Sequence, residues 1–292
     1  MDNYHLKISA KTKIFNALRQ VFTISVLEKA LIASIKGKPS SFLRKLIPPD
    51  YLYKNGTYRV VQRNGINYKL DISNVVDHFI YFEIDDPGFL SIKDTVKGAK
   101  VILDIGANIG STALYFASLN TNAKILAFEP HPDTFKRATE NIKLNDFKNI
   151  DLINLGLGEE KAQLRLYQVN EHNPGMNRII AEDRDLPYKI IEVDILDKIL
   201  DERNISKVDF IKLDVEGFEY SVLAGAANTL KSHPVLFIEL DDNNLKENNR
   251  SAKELIDLLS SAGYKQFLRA DNMSEIDKKQ NFDNCHYDII VK

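Results

Sequence analysis

Two apolar runs, each ending in an acid and separated by a glycine turn and a helix-like segment, constrain this chain more than any other feature. The first is Val101-Ile102-Leu103-Asp104-Ile105-Gly106-Ala107-Asn108-Ile109-Gly110-Ser111. The second, Ile125-Leu126-Ala127-Phe128-Glu129-Pro130, places its glutamate nineteen residues after Gly110. This order reads as one nucleoside-binding half of a doubly wound α/β domain. Ligands in such folds lie outside the carboxyl ends of the parallel strands, where glycines let the backbone approach closely and an acid binds ribose hydroxyls.

The glycine spacing narrows the ligand. Gly106 and Gly110 form G-x-x-x-G, with no third glycine to complete the G-x-G-x-x-G that sets a helix N-terminus against a pyrophosphate. The chain also lacks G-x-x-x-x-G-K-[ST], the nucleoside triphosphate cradle. A ligand with a ribose and no phosphate fits better, and S-adenosylmethionine is the common one. Glu129 would then take the ribose diol, and Asp104 with the turn from Gly106 to Asn108 would face the amino acid part. The plainer alternative, Asp104 merely capping local amides, leaves the two acids at successive strand ends unexplained.

The rest of the chain bounds the problem. With 292 residues, 44% of them hydrophobic, it can bury a substantial core. A formal charge of −2 provides no global basic field for nucleic acid. The single cysteine, Cys285, can form neither an internal disulfide nor a cysteine-rich zinc site. No apolar run approaches the roughly 18 to 20 residues needed to span a bilayer, and the first residues do not resemble a signal peptide. The expectation is a cytoplasmic protein.

Composition divides the chain into three parts. Residues 1–50 form a basic amphipathic helical extension: up to residue 48 nine Lys or Arg stand against Asp2 and Glu28, a net charge of about +7. Apolar residues from Ile14 to Ile35 recur at near-helical spacing, predicting two short helices that end near Gly37 and Pro39. Such helices could lie on an acidic membrane or a partner, or pack on the catalytic domain or a second subunit. Residues 51–97 form a lead-in, with a β-hairpin turning at Asn64-Gly65 and helical turns between Val75 and Asp94, a stretch containing His78, Asp85 and Asp86. Residues 98–292 alternate strand and helix regularly: strands over 101–105, 124–128, 150–154, 189–193, 208–213 and 234–240, helices over 110–119, 132–144, 195–203, 219–230 and 251–262. Two last strands, 264–269 and 285–291, have no helix between them, which predicts one antiparallel edge strand. This alternation argues for a mostly parallel sheet covered on both faces.

A second constellation, Val208-Asp209-Phe210-Ile211-Lys212-Leu213-Asp214-Val215-Glu216-Gly217-Phe218-Glu219, sets carboxylates at the end of the fourth core strand. Glu239 does the same on the fifth. Together with Asp-Ile-Gly-Ala-Asn-Ile-Gly, Phe-Glu-Pro and Val222-Leu223-x-Gly225-Ala226, this ordered set resembles the FkbM family of S-adenosylmethionine-dependent methyltransferases over roughly residues 75 to 270. The resemblance implies a class I methyltransferase fold, a Rossmann-like sheet of seven strands in the order 3-2-1-4-5-7-6, acting on a hydroxyl of a sugar, glycan or secondary metabolite. Carried over by position, Asp104, Gly106, Ala107, Asn108, Glu129 and Pro130 match the cofactor motifs. Asp214, Glu216 and Gly217 match the second signature, and Gly156-Leu157-Gly158 fall where this fold contacts adenine.

Methyl transfer to an alcohol needs an acceptor held in line and a base that takes its proton. Partial burial among Leu213, Phe218 and Phe237 would raise a carboxylate toward useful basicity. Asp214 is the first candidate, Glu239 the second and His172, in a polar loop that could face the acceptor, the third. In a competing arrangement Asp214 and Glu239 hold Mg²⁺ that lowers the acceptor's pKa. For Glu219 the simpler role is charge at a helix N-terminus. Lys212 is unusual inside an apolar strand, and it could pair with a carboxylate or snorkel at a strand edge. Two rivals stay open: an NAD-dependent sugar-modifying oxidoreductase, disfavoured by the missing glycine and the missing Tyr-x-x-x-Lys, and a non-catalytic α/β scaffold, disfavoured by the intact acids. Sugar, polyketide, lipid-headgroup and protein acceptors, and an oligomeric state, are all compatible with the sequence.

Overall fold

The computed structural model describes residues 9–38, 40–84, 91–170 and 173–292. Its chain forms two compact units, residues 1–63 with 68–85 and residues 64–67 with 86–292.

In the first unit, helices α1 (Ala10–Gln20) and α2 (Ser25–Ile35) occupy the stretch where two helices were expected. Strands β1 (Tyr58–Arg63) and β2 (Ile66–Asp71) form the hairpin, and α3 (Val75–Tyr81) follows. The hairpin turns at Asn64 and Gly65, with φ of 49° and 82°, the left-handed pair that a two-residue turn requires. Glu28 is fully buried, and its carboxylate receives Arg59 Nε at 2.8 Å and the Tyr81 hydroxyl at 2.5 Å. A charge out of water is tolerable here because it is both paired and hydrogen-bonded.

The second unit is built on one seven-stranded sheet. In chain order its members are β3 (Val101–Ile105), β4 (Lys124–Phe128), β5 (Ile150–Ile153), β10 (Phe210–Leu213), β11 (Val235–Asp241), β12 (Phe267–Arg269) and β13 (His286–Val291). They lie side by side as β12-β13-β11-β10-β3-β4-β5, which, counted within this sheet and read from the β5 edge, is the order 3-2-1-4-5-7-6. Every pairing is parallel except those of β13, which runs antiparallel to both β11 and β12. The antiparallel strand is therefore not at the edge, as its lack of a preceding helix suggested. It is inserted one place in, and β12 forms the edge.

Helices α4 (Lys93–Gly98), α5 (Ser111–Leu119), α6 (Pro132–Lys143), α7 (Leu196–Glu202), α8 (Glu219–Ala224), α9 (Ala227–Leu230), α10 (Asp242–Lys246) and α11 (Ala252–Ser261) complete the unit. The local signals are visible: α6 begins with proline, carries Asp133 in its first turn and ends with Lys143. The central strands are buried on both faces, so they read as continuous apolar runs. Leu103, Ile105, Ile211, Leu213 and Ile238 point into one apolar layer, and Ile102, Ala127, Phe210 and Phe237 into the other.

Two sequence expectations change here. The strand over 188–194 leaves the main sheet: β6 (Gly156–Leu157), β7 (Ala162–Tyr167), β8 (Arg178–Ile179) and β9 (Tyr188–Asp194) make a separate four-stranded sheet in the order β6-β9-β7-β8. The single helix expected over 219–230 is two, because a Cβ at Gly225 would stand 2.1 Å from the Gly158 carbonyl oxygen, and the Gly225 carbonyl accepts a bond from Asp197 N rather than continuing the helix. No helix among the described residues is long and apolar enough to cross a membrane.

Candidate active site

The turn after β3 is made by backbone constraints. Gly106, Asn108 and Gly110 have φ of 82°, 49° and 80°. A side chain at Gly106 is excluded twice, by that φ and because its Cβ would lie 1.8 Å from the Asp214 carbonyl oxygen. The Gly106 and Ala107 N–H groups both donate to the Phe128 carbonyl, at 3.0 and 2.9 Å. One residue on, Glu129 reaches back: its carboxylate accepts from Asn108 N at 2.9 Å and from His131 N at 2.8 Å. Burial pushes the Glu129 carboxyl up to about 7, against the opposing pull of those two N–H donors.

Strand register builds the second half. Lys212 is the cross-strand partner of Asp104, and Leu213 pairs with Ile105 on one side and Ile238 on the other. The two-residue period of a strand thus puts Asp104, Lys212, Asp214 and Glu239 on one face of the sheet. Lys212 Nζ donates to the Gly106 carbonyl at 3.0 Å and lies 3.1 Å from Asp214 and 3.8 Å from Asp104. Burial alone would lower the Lys212 pKa, but the charges of Asp214 and Asp104 outweigh it and the pKa is raised. The lysine therefore pairs with carboxylates and does not snorkel. Asp104, fully buried, is pushed up to about 6 by desolvation, with Lys212 opposing.

Around Asp214 the acids converge. One carboxylate oxygen from each of Asp214, Glu216 and Glu239 lies within 4.8 Å of the others. Burial first, then the charge of Asp214, pushes Glu216 up to about 8 and Glu239 up to about 10. Glu216 sits at φ 54° and accepts from Asn244 Nδ2 at 2.9 Å, while Asn244 Oδ1 accepts from Arg178. His286 Nδ1 stands 2.7 Å from Asp241, with Nε2 3.7 Å from Glu239. Glu219 has a more specific position than a helix-end charge implies: its carboxylate accepts from Val215 N and Gly217 N, both at 3.1 Å, and so shapes the loop carrying Glu216.

A single cleft joins the two halves. Of the residues singled out from sequence, Gly106, Asn108, Glu129, Pro130, Gly156, Leu157, Asp214 and Glu216 line it. Asp104 and Ala107 are buried beneath the wall, and Glu239 stands behind Asp214 on the next strand. Pro174, Gly175 and Asn177 bring the polar loop to the cleft, whereas His172 lies outside the described residues, as do Asp85 and Asp86. Sequence reading missed Arg178 and Asn244. They sit in a two-residue strand and a five-residue helix, too short to carry a periodic signal.

The domain model described as the methyltransferase FkbM domain matches residues 104–265, more than half of the chain. Methyltransferase 1 of Beauveria bassiana is 34% identical over 143 residues, covering 42% of this chain and 57% of that protein. The 2-O-methyltransferase NoeI of Sinorhizobium fredii is 27% identical over 185 residues, covering 56% and 73%. The hexuronic acid methyltransferase AglP of Haloferax volcanii is 31% identical over 140 residues, covering 48% and 55%. The chain thus spans little more than half the length of two of these three relatives. The matched span opens on Asp104 and takes in the glycine turn, Glu129, the β10 carboxylates and Glu239, and on that span the chain belongs to the FkbM methyltransferase family.

Proposed function

We propose that this chain transfers the methyl group of S-adenosylmethionine to a hydroxyl oxygen of a sugar or related polyol. One observation carries the reading: a single cleft runs from Glu129 and the Gly106 turn to Asp214 and Glu216. The donor set at its first end suits the cofactor. Glu129 is a carboxylate for vicinal hydroxyls, and Phe128, Leu157 and Phe218 offer apolar walls to a purine. When bound, the sulfonium supplies an activated methyl group.

The chain's own residues then have two tasks, to exclude water and orient the acceptor and to take its proton. Asp214 is the base: it lines the cleft, its side chain is 41% exposed, and Lys212 holds it in place. Glu239 stands close to Asp214, and burial together with the charge of Asp214 favours its protonated form. Among the relatives, the names NoeI and AglP carry, a 2-O-methyltransferase and a hexuronic acid methyltransferase, support a carbohydrate hydroxyl.

The deciding experiment is calorimetric titration with S-adenosylmethionine and with NAD, followed by mass-detected methyl transfer to a panel of neutral sugars and uronates. Binding of the sulfonium alone with turnover on a sugar hydroxyl is the expected result. NAD preference, or binding with no transfer to any hydroxyl, would overturn it. The spacing of the three carboxylates also favours a second reading, Mg²⁺ held by Asp214 and Glu239 with Glu216 beside them. Turnover that disappears with EDTA and returns with Mg²⁺ would select that reading. The base reading is preferred because Lys212 already supplies a positive charge at Asp214.

A further inference from the structure

The first unit, which lies outside the span matched by the family model, exposes large apolar side chains that its own core does not use. Ile14 and Leu18 on α1 and Val21 just past its end follow one another at helical spacing and are 75%, 50% and 47% exposed. The chain then turns through Ile24 and Val26, 57% and 76% exposed, and Phe42 is 68% exposed with Lys45 Nζ 4.7 Å from its ring centroid. The core on the inner side is complete without them: α2 buries Glu28, Leu31 and Ile35. An apolar patch of this kind in water marks an interaction surface.

Charge identifies the occupant. Residues 9–48 contain eight Lys or Arg and one acid, Glu28. That acid is buried against Arg59, so every formal charge this segment offers to solvent is positive. A second copy of the same face would bring like charges together, and a nucleic acid would leave the apolar residues unmatched. Exposed aliphatic and aromatic side chains set among lysines match the boundary between acyl chains and anionic headgroups. We propose that helices α1 and α2 with the Phe42 turn form a peripheral docking surface for a bilayer that carries anionic lipid.

The test is co-sedimentation of the full chain with vesicles of phosphatidylcholine containing 30% phosphatidylglycerol, against pure phosphatidylcholine, with light scattering on the lipid-free protein. The expected result is at least tenfold tighter binding to the anionic vesicles. That preference should fall at least tenfold in Ile14→Ser/Leu18→Ser and in Lys13→Glu/Lys29→Glu, and in 0.5 M salt. Circular dichroism and S-adenosylmethionine binding of each variant should match the parent, since none of the four residues lies in the cleft. Equal binding to both vesicles, binding unaffected by either double variant, or a dimer in solution that Ile14→Ser/Leu18→Ser dissolves would each overturn the proposal.

Discussion

The two ends of the cleft are made of different material. At the Glu129 end the shape comes from backbone: three left-handed residues, two N–H groups on the Phe128 carbonyl and two more on the Glu129 carboxylate. At the Asp214 end it comes from side chains, with Lys212 balancing Asp104 and Asp214 while Glu216 and Glu239 share a small space with them. The difference teaches where tolerance lies. A backbone-built cradle is the same whatever acceptor is used, whereas a side-chain cluster can change its chemistry by single substitutions.

The largest effect should come from the side-chain end. Asp214→Asn is expected to lower kcat by about 10²–10⁴-fold, the scale of a lost general base, with S-adenosylmethionine affinity within threefold of the parent by calorimetry. A comparable loss of binding would erase the division between the two ends. Next, Gly106→Ala should cost about 3 kcal/mol or more of stability in a denaturant titration, because it combines a left-handed φ with a clash against the Asp214 carbonyl. If it is tolerated with less than about 1 kcal/mol of loss, the cradle is not set by backbone.

Glu129→Ala should weaken cofactor binding by about 1.5–3 kcal/mol, the range for hydrogen bonds to a charged group, and leave the acceptor's KM unchanged. The last effect concerns proton linkage at Glu239. Its carboxyl sits at about 10 in the fold against about 4.3 in an unfolded chain. A group raised in this way contributes stability below its unfolded value and loses it as pH climbs toward the folded one. The melting gap between Glu239→Gln and the parent should therefore move in the variant's favour as pH rises from about 4.5 to about 8.5. A gap that does not depend on pH would mean that Glu239 is not held protonated by burial.

Much of this was legible from local pattern. The β3 and β4 runs, the G-x-x-x-G turn and the Asn64-Gly65 hairpin appear where the sequence puts them, because apolar runs and left-handed positions impose their conformation within a few residues. The separate sheet of β6 to β9 and the break at Gly225 were not legible, and the place of β13 was legible only through the strand order that the family resemblance implies. Each depends on a neighbour far along the chain, such as Gly158 for Gly225, or β11 and β12 for β13.

The same boundary runs through the site. From sequence alone the chain is a nucleoside-binding α/β domain whose chemistry rests on Asp104, Glu129, Asp214 and Glu239, since residue type and distance from a strand end are properties of one segment. Only the tertiary structure decided that Asp104 is a buried partner of Lys212, that Glu216 joins Asp214 and Glu239, and that Arg178 and Asn244 stand beside them. Those roles come from strand register and from loops that meet across dozens of residues, and both the burial that shifts a carboxyl and the charge that opposes it are set by whatever the fold brings near.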